Sequence, residues 1–156
     1  MKTNHMKLIF DARSVNESFA RVAVAAFLAE LNPTLDEIAD VKTAVSEAVT
    51  NSIIHAYDSE ESQIQLYSRI YSDEKGKVIE IIVEDEGKGI ADVEKAMEPF
   101  FTTKPELERS GMGFAFMEAF MDELEVVSKV KEGTKITMRK YIGKQDEMPC
   151  AISQSL

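Results

Sequence analysis

The chain is poor in cysteine and in positive charge, and it contains no tryptophan. Its single cysteine, Cys150, excludes an internal disulfide framework and favours a reducing compartment, which we expect to be the cytoplasm. The formal net charge is −10, so direct binding to nucleic acid is not expected. A basic protein surface or a metal–phosphate ligand fits that charge better.

Long hydrophobic runs are also absent. The longest, Val22–Ala29, is far too short to cross a bilayer. The N-terminal residues lack the apolar core and the cleavage site of a signal peptide. We therefore expect a soluble chain with no membrane partner. Cys150 could be a reactive thiol or a passive residue of a loose tail, and we favour the passive interpretation.

Glycine is scarce too, with seven in 156 residues, yet Gly111 and Gly113 flank one methionine just before a helical pattern. Glycine loses more backbone freedom on folding than any other residue, so this pair needs a reason. The N–H groups at a helix N-terminus attract phosphate, and glycines let its oxygens approach the backbone. Lys104 and Arg109 could add side-chain contacts. A simple glycine turn is the alternative, and it explains one glycine better than two.

The length of 156 residues predicts one domain, over residues 1–142, followed by a flexible tail over residues 143–156. The apolar fraction of 44% fits a globular chain rather than a disordered one. Residues Met6–Ala12 alternate as a strand does. A helix is predicted after Ser14, which could cap it, because Glu17 stands three residues later as in a capping box.

A second helix is predicted from Thr34 to about Ala56, again with a glutamate, Glu37, three residues after the cap. Its apolar positions predict a core-facing stripe, which consists of Ile38, Val41, Val45, Ala48, Val49, Ser52 and Ile53. Hairpin-connected strands and short helices follow. The predicted fold class is therefore α/β (α+β), a two-layer sandwich with a mainly antiparallel or mixed sheet and helices on one face.

Two polar residues lie off that stripe. Glu47 and Asn51 are four residues apart and so share one side of the helix. An amide oxygen suits Mg²⁺, and a glutamate could orient or deprotonate an attacking hydroxyl. A solvated polar face is the alternative. His55 continues the same side, and we interpret it as structural.

A carboxylate is predicted on the buried face of a strand. The alternation that buries residues Ile79–Val83 continues to Asp85, at the strand end, and Gly87 and Gly89 follow. A buried aspartate must find hydrogen-bond donors. These could be the backbone of its own turn or the amino group of a ligand, and this pattern alone leaves both interpretations open.

Taken in order, these motifs resemble the GHKL (Bergerat) ATP-binding fold over roughly residues 6–140. They are E-x-x-x-N on a helix, D-x-G-x-G after a strand, a Thr/Lys/Pro stretch that resembles a lid, and G-x-G before a helix. Segments such as "VSEAVTNSIIHAY" and "FFTTKPELERSGMGF" resemble the anti-sigma F factor family of endospore-forming bacteria, which are small serine kinases. One departure is Ala56, where that family leads us to expect glycine.

The resemblance implies a role for each candidate site residue. Glu47 would act as the catalytic base, Asn51 would coordinate Mg²⁺, and Asp85 would bind the adenine amino group of ATP. The other implied nucleotide contacts are Gly87, Gly89, Thr102, Thr103, Lys104, Arg109, Ser110, Gly111 and Gly113.

The resemblance also implies that the chain binds and inhibits a sporulation sigma factor, sigma F. With Mg-ATP it would phosphorylate a serine of an anti-anti-sigma factor. A homodimer is implied as well, and Ile9, on the outward face of the first strand, would be compatible with an edge contact. Glu17 and Arg21 are candidate partner contacts or simply an exposed ion pair.

Three other functions stay open. The chain could be a general stress-response anti-sigma kinase, which would differ only in its partners. It could be a stand-alone histidine-kinase-like catalytic domain, although no helical pair carrying a phosphoacceptor histidine precedes it, and His5 and His55 are its only histidines. It could also be a sigma-binding module that uses ATP only as a structural ligand.

Overall fold

A computed structural model describes residues 2–56, 61–98 and 113–143. The strands are β1 (Asn4–Asp11), β2 (Gln63–Asp73), β3 (Gly76–Asp85), β4 (Glu123–Lys129) and β5 (Gly133–Ile142). The α-helices are α1 (Val15–Leu28), α2 (Leu35–Asn51), α3 (Val93–Ala96) and α4 (Gly113–Phe120). Ala29–Leu31 form a short 3₁₀ helix, and Ser52–Ala56 form a π-helical turn. No helix within these residues has the length and apolar character needed to cross a membrane.

The five strands form one sheet in the order β1-β2-β3-β5-β4, and every neighbouring pair is antiparallel. This confirms the prediction of a mainly antiparallel sheet. Two hairpins, β2–β3 and β4–β5, supply most of it, and β5 inserts beside β3 so that β3 lies at the centre. Strand β1 is an edge strand, and Ile9 on it is 54% exposed.

The core lies between the sheet and the helices. On β3, Ile79, Ile81 and Val83 are buried, as the alternation predicted. They join one apolar cluster with the buried residues of α1, α2 and α4. Most of the predicted stripe of α2 is buried: Val41, Val45, Ala48, Val49 and Ser52 are buried, and Ile38 and Ile53 are partly buried against the core. Ala44, which was not predicted to belong to the stripe, is also buried.

The opposite face of the sheet carries a ladder of charges in register across four strands. Glu80 on β3 lies between Arg69 on β2 and Arg139 on β5, at 3.0 Å and 2.6 Å. Arg139 also pairs with Glu123 on β4 at 2.9 Å. Because the two arginines cover it, Glu80 is only 5% exposed, although it alternates with the core residues. A charge this buried is tolerated because it is paired on both sides.

Of the two predicted helix caps, one is confirmed and one is wrong. The Thr34 side chain accepts the Glu37 N–H, and the Glu37 carboxylate accepts the Thr34 N–H, which makes a full capping box at the start of α2. Ser14 has helical backbone angles and makes no side-chain cap. The Glu17 carboxylate, which would have completed that box, instead accepts a hydrogen bond from Thr50 on α2.

Candidate functional site

The C-terminal end of α2 carries the predicted catalytic pair. Glu47 and Asn51 lie one turn apart at the end of the α-helix, and both are partly buried. The chain then widens into the π-helical turn Ser52–Ala56, so the predicted helix to Ala56 is continuous but changes type. Such π-turns are frequent at functional sites. The change of type re-aims the residues that follow Asn51, and no feature of the sequence predicted it.

Asp85, at the end of β3, is the best-defined residue of the site. It is 3% exposed, as predicted. Its Oδ1 accepts the N–H groups of Gly87 at 3.0 Å and Thr134 at 3.3 Å, and its Oδ2 accepts the Ser52 hydroxyl at 2.9 Å. Burial raises the pKa of the Asp85 carboxyl, and these three hydrogen bonds oppose that rise. The donors therefore come from its own turn, from β5 and from the end of α2.

The two glycines after Asp85 allow very close packing of their loop. A Cβ on Gly87 would lie 2.3 Å from the Ala56 carbonyl oxygen, and the neighbouring Lys88 N–H donates to that same oxygen at 3.0 Å. Gly89 has φ +71°, and a Cβ there would lie 2.1 Å from the Lys129 carbonyl oxygen. Bare backbone is thus required where the loop meets the π-turn and the β4–β5 hairpin.

The last predicted element of the site is the N-terminus of α4. Gly113 is the first residue of this helix, as predicted, and Phe114 and Met117 bury its inner face against the core. The C-terminal end of α4 is held beside the first half of α2, because Lys140 Nζ lies 2.8 Å from the Phe120 carbonyl oxygen and 3.4 Å from Asp40. The other residues predicted for this region lie outside the described residues: Thr102, Thr103, Lys104, Arg109, Ser110 and Gly111. Cys150, in the predicted tail, also lies outside them.

Glu17 and Arg21, the candidate partner contacts on α1, form more than an exposed ion pair. They lie 3.9 Å apart, and each also contacts α2. The Thr50 hydroxyl donates to Glu17 at 2.9 Å, and Arg21 donates to the Ser46 hydroxyl at 3.4 Å. Thr50 and Ser46 immediately precede Asn51 and Glu47 in the sequence. The α1 charges are therefore linked to the segment of α2 that carries the predicted catalytic pair.

Two polar contributors to the site were not predicted. The sequence pattern placed Ser52 in the apolar stripe of α2, and it gave Thr134 no role in the site. The Thr134 hydroxyl also lies 2.8 Å from that of Ser128, which in turn accepts the Ile90 N–H at 2.7 Å. A serine within an otherwise apolar stripe, next to Asn51, is the signal that could have revealed Ser52.

Comparison with known proteins identifies the class to which this fold and site belong. The family model described as histidine kinase-like ATPase domain matches residues 10–140. A solved structure of the RsbU and RsbW domains of a Mycobacterium tuberculosis protein shares the fold, with a TM-score of 0.63 at 20% sequence identity. The match covers 89% of this chain and 32% of that one.

Much closer relatives in sequence narrow the class. An anti-sigma F factor of Clostridium novyi (strain NT) is 59% identical over 143 residues, covering 91% of this chain and 97% of the relative. An anti-sigma F factor of Geobacillus kaustophilus (strain HTA426) is 57% identical over 141 residues, covering 90% and 94%. The chain belongs to the anti-sigma F factor family of histidine kinase-like ATPase domains.

Proposed function

We propose that the protein is a cytoplasmic anti-sigma factor and serine kinase. It binds Mg-ATP between α2 and the sheet, holds a sporulation sigma factor of the sigma F type, and phosphorylates a serine of an anti-anti-sigma protein. The family supports an ATPase domain and the anti-sigma class. The observation that carries the proposal is the hydrogen bond between Ser52 and Asp85, because it brings the end of α2, with Glu47 and Asn51, against the carboxylate at the end of β3.

The adenine end of the site is Asp85. Its carboxylate is buried and fixed by three donors, and it accepts the 6-amino group of adenine in this proposal. Gly87 and Gly89 contribute by letting their loop pack closely enough to form the wall beside it. Burial of a carboxylate is costly, and such costs are typical of binding sites.

The phosphate end lies toward Glu47 and Asn51. Because α4 packs on α2 with its C-terminal end beside Asp40, we expect its N-terminal Gly113 to face the last turns of α2. The free N–H groups there suit phosphate oxygens. The lid residues and phosphate contacts proposed from the sequence, Thr102, Thr103, Lys104, Arg109, Ser110 and Gly111, would complete this end.

Magnesium fits the donor set of this end. Within the described ranges there is no cluster of three or more His, Cys, Asp or Glu side chains, so a closed metal cage is not formed by those residues. Mg²⁺ typically keeps several waters and takes few protein oxygens beside phosphate, and the amide oxygen of Asn51 would be one such ligand. The ion would neutralise charge on the transferring phosphoryl group.

In the proposed transfer, Glu47 accepts the proton of the substrate serine hydroxyl. The serine oxygen forms a bond to the γ-phosphorus while the bond from that phosphorus to the ADP oxygen breaks. Glu47 lies one helical turn from Asn51, so the proposed base would stand beside the proposed metal ligand. The protein contributes position and charge, which is most of what this reaction requires.

Partner binding is assigned to the surface around Glu17 and Arg21. Both are about one-third exposed, so they can reach a partner while α2 holds them. A homodimer through the β1 edge is part of the proposal, because β1 leaves one side of its backbone unpaired within the sheet and Ile9 is exposed on it.

The test is incubation of the purified protein with γ-labelled ATP, Mg²⁺ and candidate acceptor proteins, followed by acid treatment. Acid-stable label on an acceptor is expected, since phosphoserine survives acid. Acid-labile label would indicate phosphohistidine and overturn the serine assignment. Pull-down of sigma factors with and without Mg-ATP tests the proposed sigma-factor binding. The absence of any bound sigma factor in both conditions would contradict it.

A further inference from the structure

Resting on the proposed function, we infer that Ser52 is the positioning residue for adenine recognition: its hydroxyl fixes the Asp85 carboxylate so that one acceptor position is presented to the 6-amino group. The role of Asp85 itself belongs to the proposed function. The new element is Ser52, a residue that the sequence pattern places in the hydrophobic core.

The first support is the burial and bonding of Ser52. It is 0% exposed, and its neighbours in the stripe are apolar. A buried hydroxyl is costly unless it is hydrogen-bonded. Its Oγ donates to Asp85 Oδ2 at 2.9 Å, across 33 residues of sequence. A serine retained here therefore serves Asp85, since packing alone would be satisfied by alanine.

The second support is a count of the acceptor positions on Asp85. An ionised carboxylate offers about four. Two positions on Oδ1 accept the N–H groups of Gly87 and Thr134, and one position on Oδ2 accepts Ser52. Among the residues that the structure describes, no donor fills the fourth. One remaining acceptor on Oδ2 matches one N–H of an exocyclic amine.

The third support is the division of labour between the two oxygens. Oδ1 is fixed by the backbone of β5 and of the loop after β3. Ser52 is the single described donor to Oδ2. Without Ser52 the carboxylate is free to pivot about Oδ1, and the acceptor on Oδ2 loses its fixed direction. The affinity should therefore fall for ligands that carry the 6-amino group and not for those that lack it.

The experiment compares two nucleotides by calorimetry in magnesium buffer: ATP, and purine riboside triphosphate, whose base lacks the 6-amino group. Wild type is expected to prefer ATP by about tenfold or more, the usual worth of a hydrogen bond to a charged group. Ser52→Ala should lower that preference by about threefold to tenfold. A general loss of stability would weaken the binding of both nucleotides equally, so the ratio of the two affinities would stay unchanged.

Two further variants sharpen the result. Ser68→Ala is the matched control, because Ser68 is also 0% exposed but donates to the Glu80 carbonyl, so it should keep the preference. Ser52→Cys keeps an atom at the γ position but only as a weak donor, so its preference should resemble that of Ser52→Ala. If Ser52→Ala or Ser52→Cys prefers ATP as strongly as wild type does, this inference is overturned and the proposed function still stands. Wild type that binds neither nucleotide overturns the proposed function, and this inference with it.

Discussion

Thr50 on α2 donates a hydrogen bond of 2.9 Å to Glu17 on α1. This contact joins the proposed partner surface to the residue immediately before Asn51. Arg21 repeats the arrangement one turn away, since it reaches Ser46, the residue before Glu47. The end of α2 is therefore in direct contact with the charges that a partner would meet. A change of conformation there is one physical route by which the bound nucleotide could alter the choice of partner.

Thr50→Val removes this hydrogen bond while it keeps the size of the side chain. We expect a loss of about 1 kcal/mol in the free energy of unfolding, since the partly buried Glu17 carboxylate loses a donor. Sigma-factor affinity should fall while ATP affinity stays unchanged. Urea denaturation and two binding titrations measure the three quantities.

Thr43→Val is the control, because Thr43 lies on the same helix and makes no side-chain hydrogen bond among the described residues. It should leave both affinities unchanged. If Thr50→Val binds the sigma factor as wild type does, Glu17 does not depend on α2 for its role at the partner surface.

Glu47→Gln separates binding from chemistry. The amide keeps the shape but cannot accept a proton, so ATP affinity should change by about twofold or less while phosphoryl transfer falls by about 100-fold or more. Calorimetry and single-turnover transfer with labelled ATP give the two numbers. Glu118→Gln, at an exposed position on α4, makes the same charge change and should affect neither. Undiminished transfer in Glu47→Gln would remove this residue from the role of base.

The order and type of the elements could be predicted because they follow from local patterns. The alternation of β3 placed Asp85 on the buried face, and the helical stripe placed Glu47 and Asn51 off the core. The predicted capping box at Ser14 failed because Ser14 itself has helical backbone angles and because the Glu17 carboxylate bonds instead to Thr50, a residue distant in sequence. Ser52 was missed for the same reason: its partner is set by the tertiary fold and by the π-turn, and neither leaves a periodic signal.

Asp85→Asn tests whether the buried carboxylate serves function at the expense of stability. The asparagine can still accept from Gly87 and Thr134 through its oxygen, and its amide can donate to Ser52, so the fold should persist. ATP affinity should fall by about tenfold or more, because the acceptor on that side becomes a donor. Calorimetry measures the loss.

The same variant should show a characteristic pH dependence. Burial raises the pKa of Asp85 above its ordinary value of 3.8, so the folded state binds the proton more readily than the unfolded state. As pH rises from 3.8 through the folded pKa, this group lowers the stability of wild type. The stability of Asp85→Asn relative to wild type should therefore increase over that window and then level off. Thermal unfolding across that range measures the difference in stability between the two proteins. If wild type gained stability relative to Asp85→Asn as the pH rose, the raised pKa of Asp85 would be contradicted.

Gly87→Ala tests the close contact between the loop after β3 and the π-turn. The added Cβ would lie 2.3 Å from the Ala56 carbonyl oxygen, so the loop must move. We expect a loss of about 1–3 kcal/mol in stability, as in other overpacked sites. ATP affinity should fall as well, because the displaced Gly87 N–H also holds Asp85.

The double variant Gly87→Ala with Ala56→Gly shows whether the side chain or the backbone of Ala56 causes the loss of stability in Gly87→Ala. Removing the Ala56 side chain relieves the 2.6 Å approach to its Cβ but leaves the carbonyl oxygen in place. Because that oxygen also accepts the Lys88 N–H, it cannot withdraw without breaking a second hydrogen bond. The double variant should therefore remain as unstable as Gly87→Ala in urea denaturation. Recovery of both stability and ATP affinity would show that the side chain of Ala56, and not its backbone, sets the distance between the loop and the end of α2.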